Sequence, residues 1–210
     1  MRITHDRQLI LVTHKGSSFT SAYLERIALC IKGGVTSVQL REKSLSRAEL
    51  LHFGRSLKNL LDSNNIPLIV NDHVDLCLQL DAAGVHLGQS DEEPLEARAK
   101  LGPQKIIGLS VNTMAQIEEA NTLPLDYIGV GAIFHTQNKS DVETIWGLEG
   151  LKKASIMSSH PIVAIGGVTP SNALSVLQAG AKGIAAIGAF HDAVDPYLST
   201  QHFINTINEV

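Results

Sequence analysis

The chain has 210 residues, 44% of them hydrophobic and 18% charged, too apolar a balance for disorder and enough for one well-buried core. Its formal net charge of −4 argues against a nucleic-acid partner, which would need a basic stripe, so any anion site is local. Cys30 and Cys77 have no metal-ligand spacing and are too few for a disulfide framework, which leaves buried free thiols as the expectation. The segment Met1–Arg7 lacks the apolar region of a signal peptide, and no run approaches the roughly 18 residues of a membrane span. A cytoplasmic protein with no membrane partner is expected, with residues 1–210 as a single domain.

Eight short apolar runs follow one another: Leu9–Val12, Ser37–Leu40, Leu68–Val70, Val85–Leu87, Lys105–Leu109, Tyr127–Val130, Ile162–Ile165 and Gly183–Ile187. Between them, helical periodicity marks Ser21–Lys32, Ser46–Asn64, Glu93–Leu101, Met114–Thr122, Gly147–Ser158 and Pro170–Ala179. Gly33-Gly34, Ala83-Gly84 and Gly180-Ala181 end helices before a buried strand, as glycine does at a left-handed exit. Thr169 and Pro170 read as the N-cap and first residue of a helix. Eight alternating units predict an α/β fold, a single (β/α)₈ TIM barrel, with a doubly wound open sheet as the alternative. His135–Trp146 is a polar stretch of 12 residues, long enough to read as a lid on the catalytic face.

Polar residues stand at nearly every strand end, where a parallel barrel places its chemistry. In Gln39-Leu-Arg-Glu-Lys43 the strand period puts Gln39, Arg41 and Lys43 on one side, and a guanidinium beside an ammonium suits a diphosphate. The plainer reading is a solvated strand end with Arg41 paired to Glu42 or another acid. Asn71 and Asp72 close one strand and Asp91 follows the next, and two carboxylates there suit a hard divalent cation. Each Asp taken alone also reads as a helix cap. Gly108-Leu-Ser110 and Ile165-Gly-Gly167 end two later strands, and Gly183–Gly188 would complete the phosphate site that such barrels build after strands seven and eight. Thr136, Asn138 and Lys139 would bring a hydroxyl, an amide and a cation down from the lid. His86 is expected as a hydrogen-bonded core residue or, less plainly, as an acid/base group. No Ser/His/Asp arrangement, nucleophilic Cys motif or zinc spacing is present. The residues thus point to a Mg²⁺-dependent enzyme of phosphorylated small molecules.

Taken in order, Val38-Gln-Leu-Arg-Glu-Lys43, Val70-Asn-Asp-His-Val-Asp75, Gly84-Val-His-Leu-Gly-Gln89 with Asp91, Gly108-Leu-Ser110, Gly131–Lys139 and Ala164-Ile-Gly-Gly167 resemble the thiamine-phosphate synthase family over nearly the whole chain. The resemblance implies two small-molecule substrates: 4-amino-2-methyl-5-(diphosphooxymethyl)pyrimidine, joined to 4-methyl-5-(2-phosphoethyl)thiazole with release of diphosphate. It implies that Gln39 faces the pyrimidine and that Arg41, Lys43, Asn71, Ser110 and Lys139 bind its diphosphate. Arg41, Lys43, Ser110 and Lys139 are the implied catalytic set. Asp72 and Asp91 would hold Mg²⁺, and Thr136, Asn138, Gly167, Ile187 and Gly188 would bind the thiazole phosphate. The chain departs from the family pattern at Ala132 and His135, where proline is usual, at Asn138 for threonine, at Asn112 for histidine and at Ala185-Ala186 for serines. A thiazole tautomerase and a non-catalytic regulator that has kept the pocket are the competing readings. The sequence leaves room for a homo-oligomer.

Overall fold

The computed structural model describes residues 8–14, 21–136 and 144–209. Its eight strands are β1 (Gln8–Val12), β2 (Ser37–Leu40), β3 (Leu68–Asn71), β4 (Gly84–Leu87), β5 (Ile106–Val111), β6 (Tyr127–Val130), β7 (Ile162–Ile165) and β8 (Gly183–Ala186). They pair in chain order, all parallel, and β8 closes on β1 through Gln8↔Gly183 and Leu11↔Ala186. The sheet is therefore a closed barrel, and the open-sheet alternative does not apply. Strand bounds lie within two residues of those expected.

The helices are α1 (Ser21–Gly33), α2 (Arg47–Asp62), α3 (Val74–Gln79), α4 (Pro94–Leu101), α5 (Met114–Ala120), α6 (Gly147–Met157), α7 (Ala173–Gln178), α8 (Gly188–His191) and α9 (Pro196–Asn208). The start of α2 is fixed by a capping box: the Ser46 side chain accepts from the Glu49 amide while Glu49 reaches back to the Ser46 amide. The expected cap at Thr169 is not formed. The Asn172 side chain accepts from the Thr169 amide at 2.8 Å and donates to the Gly167 carbonyl at 3.0 Å, tying residues 167–172 into a turn, and α7 begins only at Ala173. Three helices were not anticipated. α3 and α8 are too short to show a period, and α9 buries Pro196, Thr200, Phe203 and Ile207, a helical spacing in which a proline and a threonine hide the stripe. Asp195 caps α9 by accepting from the Leu198 amide at 3.0 Å, and α9 packs on α1 so closely that a Cβ at Gly33 would lie 2.6 Å from the Thr200 Cβ.

Strand alternation divides the core into two layers. Leu9, Leu11, Val38, Leu40, Val70, Val85, Leu87, Ile107, Leu109 and Ile128 point outward into the sheet–helix layer. Ile10, Val12, Ile69, Ile106, Tyr127, Val163 and Ala185 fill the barrel interior. Fully burying each such aliphatic side chain is worth roughly 1.5–3 kcal/mol. Cys30 and Cys77 are buried free thiols, pushed up to about 11 by that burial. Among the described residues no helix is long and apolar enough to cross a membrane.

Candidate active site

The same alternation delivers chemistry to one mouth. Gln39, Asn71, His86, Ser110 and Gly129 carry the inward parity of their strands, and all five line a cavity of about 300 Å³, of the size that holds small ligands. Arg41, Asn112, Thr136, Gly167, Ile187 and Gly188 line it as well.

The end of β2 is clamped to β1. The Thr13 amide donates to the Gln39 carbonyl at 2.9 Å, and the Thr13 hydroxyl accepts from the Arg41 amide at 2.9 Å. This keeps Gln39 and Arg41 facing the cavity, while Leu40 enters the outer layer. The strand ends at Leu40, so the alternation does not run on to residue 43. Lys43 sits in the following turn and lines an adjoining recess with Glu42, Asp72 and His73. The ion pairs among the described residues, such as Arg98–Asp126 at 2.7 Å, engage neither Arg41 nor Lys43. Pairing of Arg41 with Glu42 is absent from that set.

Neither Asp72 nor Asp91 caps a helix. The cap positions of α3 and α4 are His73 and Glu93. Asp72 continues the ladder through its amide to the His86 carbonyl at 2.8 Å, then takes a left-handed φ of 64° while the His73 amide bonds back to the Asn71 carbonyl at 2.8 Å. This i to i+2 turn with positive φ is a rare, strained form; here it aims a carboxylate at the cavity edge. Asp91 accepts from the Gly88 amide at 2.6 Å and lies within hydrogen-bond reach of Asp72. Burial, with the neighbouring Asp91 adding to it, pushes the Asp72 carboxyl up to about 6, against the pull of Lys43 and Arg41. Two carboxylates driven together at a strand end fit a hard cation with oxygen ligands, whose charge would relieve their repulsion. Among the described residues no third His, Cys, Asp or Glu joins them, so water and substrate oxygens would complete the shell.

His86 is the hydrogen-bonded core residue that the sequence suggested, and sequence reasoning missed Tyr127. His86 Nδ1 lies 2.8 Å from the Tyr127 hydroxyl and Nε2 lies 2.8 Å from Ser110 Oγ. Ser110 lies within β5, one residue before its end, and its carbonyl accepts from Gln89 Nε2 at 2.7 Å. The alternation of Val85 and Leu87 with His86 gives the histidine's inward direction. Its partners depend on barrel register, with His86 beside Gly108 and Gly108 beside Tyr127.

Across the cavity the chain presents backbone. Gly166 and Gly167 have φ of 94° and 66°, and a Cβ at Gly167 would lie 2.7 Å from both the Phe134 Cβ and the His135 carbonyl oxygen. Only glycine suits that pair. Because α7 starts at Ala173, the donors near Gly167 belong to this glycine turn and not to a helix N-terminus. Ile187 is the N-cap of α8, with Gly188 as its first residue, matching the short extra helix that contributes to phosphate sites in such barrels. Ala185 and Ala186 make this wall apolar, at positions where the family that the sequence resembles often carries serines. Asn138 and Lys139 fall outside the described residues, as does most of the expected lid. Its far end is anchored by the Trp146 amide on the Ala132 carbonyl at 2.9 Å.

The family model described as thiamine monophosphate synthase (TMP-TENI) matches residues 9–190. The thiamine-phosphate synthase of Chlamydia abortus is 56% identical over 189 residues, covering 90% of this chain and 89% of that one. That of Chlamydia caviae is 54% identical over 194 residues, covering 92% of each. Among solved structures, thiamine phosphate pyrophosphorylase from Pyrococcus furiosus superposes with a TM-score of 0.84 at 32% identity, covering 96% of both chains. The family match covers most of the chain and the barrel agrees with the solved structure, so the chain belongs to the thiamine monophosphate synthase family.

Proposed function

We propose that residues 1–210 form one cytoplasmic catalytic domain, a Mg²⁺-dependent thiamine-phosphate synthase that transfers a pyrimidine-methyl group to the thiazole nitrogen. The observation that carries this reading is the two-sided cavity. Gln39, Arg41, Asn71 and Ser110 converge from β2, β3 and β5, opposite the glycine turn after β7 and the start of α8. One side suits a diphosphate with side-chain donors and cations; the other suits a single phosphate with backbone donors.

Arg41, Lys43, Asn71, Ser110 and Lys139 bind the diphosphate, and Gln39 orients the pyrimidine. Thr136, Asn138, Gly167, Ile187 and Gly188 seat the thiazole phosphate. Asp72 and Asp91 would hold Mg²⁺, which when bound supplies positive charge to the departing diphosphate. The C–O bond breaks with its electron pair leaving on diphosphate, and the ring amino group delocalises the charge of the resulting pyrimidine-methyl cation. The thiazole nitrogen lone pair then forms the new C–N bond. No covalent nucleophile is needed, because the chain's work is positioning two substrates and stabilising a leaving anion. Asn112, which lines the cavity where a tautomerase would need a titrating group, is an amide and a poor general acid/base near neutrality.

The test is diphosphate release with both substrates and Mg²⁺, repeated with thiazole phosphate or metal omitted. Stoichiometric thiamine phosphate, lost in either omission, is expected. Binding of thiazole phosphate without any release of diphosphate would overturn the enzyme reading.

A further inference from the structure

We infer that Gln89 is a positioning residue whose side-chain amide fastens the loop carrying Asp91 to the end of β5, so that the cation-binding carboxylate and Ser110 are held as one unit. The link to a cation and a diphosphate rests on the proposed function. The fastening of the loop does not.

β4 and β5 pair in register from Gly84↔Ile106 to Leu87↔Leu109, and β4 ends at Leu87 while β5 runs on to Val111. Ser110 therefore lies one residue beyond the last pairing of the two strands. Gln89 Nε2 donates to the Ser110 carbonyl at 2.7 Å. A carbonyl only accepts, so it is the amide nitrogen of Gln89, and not its oxygen, that faces Ser110. The side chain thus adds one bond between the two segments after the backbone of β4 has ended.

The backbone at that point is engaged elsewhere. The Gly88 amide donates to Asp91 Oδ2 at 2.6 Å, and the Asp91 amide donates back to the Gly88 carbonyl at 3.3 Å. These two bonds close a bracket so tight that a Cβ at Gly88 would lie 3.0 Å from the same carboxylate oxygen. They fix the Asp91 carboxylate relative to its own loop, and Gln89, inside the bracket, fixes the loop relative to the barrel. Farther along, Glu92 pairs with Lys100 of α4 at 2.9 Å, and Glu93 makes no side-chain cap bond at the start of that helix.

The residue that Gln89 holds is itself part of the site. The Ser110 hydroxyl lies 2.8 Å from His86 Nε2, and Ser110 lines the cavity. Gln89 is exposed and lines neither the cavity nor the recess beside it. It acts on a bound cation through Asp91 and on a bound diphosphate through Ser110, without touching either.

Gln89→Met keeps the length of the side chain and removes the donor, and Ser90→Ala, at an exposed neighbour in the same loop, is the control. Hydrogen exchange of the Gly88 amide in the metal-free protein reads the loop itself. It should quicken at least about fivefold in Gln89→Met, the scale of one neutral hydrogen bond, and stay within about twofold of wild type in Ser90→Ala. Wild-type exchange in Gln89→Met would overturn the fastening. Mn²⁺, which an all-oxygen site also accepts, reads the carboxylate by electron paramagnetic resonance without any substrate. Its Kd should rise about fivefold in Gln89→Met, with thiazole-phosphate affinity within about twofold. Faster exchange at an unchanged Mn²⁺ Kd, or equal weakening of both ligands, would overturn the positioning role. If the wild-type protein binds no Mn²⁺, the metal reading fails on its own, and the Gly88 amide still decides the fastening.

Discussion

On the proposed reading, the two walls of the cavity solve the same problem, holding an anion, with different materials. The β2–β5 wall uses charged and polar side chains: Arg41, Asn71 and Ser110, with Lys43, Asp72 and Asp91 beside them. The β7–β8 wall uses main chain, through the left-handed Gly166–Gly167 turn and the start of α8, and its nearby side chains are Ala185, Ala186 and Ile187. A diphosphate that leaves during the reaction needs charge stabilisation that grows as its bond breaks, which cations and a metal supply. A phosphate that only anchors its substrate needs a fixed cradle, which backbone donors supply. Side-chain replacements should therefore damage turnover on the first wall, while backbone strain should damage affinity on the second.

The largest effect is expected on the first wall. Asp72→Ala and Lys139→Ala should each cut turnover at least about 100-fold, the scale of losing one electrostatic group from a preorganised site. Steady-state rates at saturating substrates would check this, and wild-type rates in both variants would reject the metal and diphosphate roles. Next is Gly167→Ala, which places a Cβ against Phe134 and His135 at a φ of 66°. It should raise KM for the thiazole phosphate at least about tenfold, roughly 1.4 kcal/mol of binding, while KM for the pyrimidine diphosphate stays within about twofold.

A pH dependence separates the walls further. Asp72 titrates at about 6 in the folded protein, above its ordinary value of 3.8, so the folded chain holds that proton more tightly than the unfolded chain. Its contribution to metal-free stability is full below the ordinary carboxylate range and is lost as pH rises through about 6. A divalent cation competes for the same oxygens. The rise in Tm on adding Mg²⁺ should be larger at about pH 7.5 than at about pH 5, and equal shifts would speak against a cation on this pair. The smallest effect belongs to the scaffold. Ser46→Ala breaks the capping box of α2 and should lower Tm by about 2–4 °C, with both KM values unchanged.

The same contrast explains what could be read from the sequence. The eight β-branched runs predicted the barrel because a parallel strand buried on both faces is nearly continuous in Val, Ile and Leu. The first wall was legible because its chemistry resides in residue types: Arg41 and Lys43, Asn71 and Asp72, then Asp91. The second wall was half hidden. Gly166-Gly167 signalled a turn, but Thr169-Pro170 suggested a helix start, and only the Asn172 side chain folding back on Thr169 and Gly167 shows why α7 begins later. His86 and Tyr127 were obscured for another reason. Their partnership lies 41 residues apart in sequence, and a histidine in a Val-His-Leu run looks like core until strand closure brings β4, β5 and β6 side by side. The strained turn at Asp72 carried no signal beyond the Asn-Asp pair itself.

The most direct measurement is calorimetric titration of Mg²⁺-diphosphate and of thiazole phosphate, separately, into wild-type protein and Arg41→Ala. Two anion sites on opposite walls predict that the substitution weakens diphosphate at least about tenfold, on the scale of a charge-assisted hydrogen bond, and leaves thiazole phosphate within about twofold. Equal weakening of both ligands would mean that they share one site, and would contradict the two-walled account.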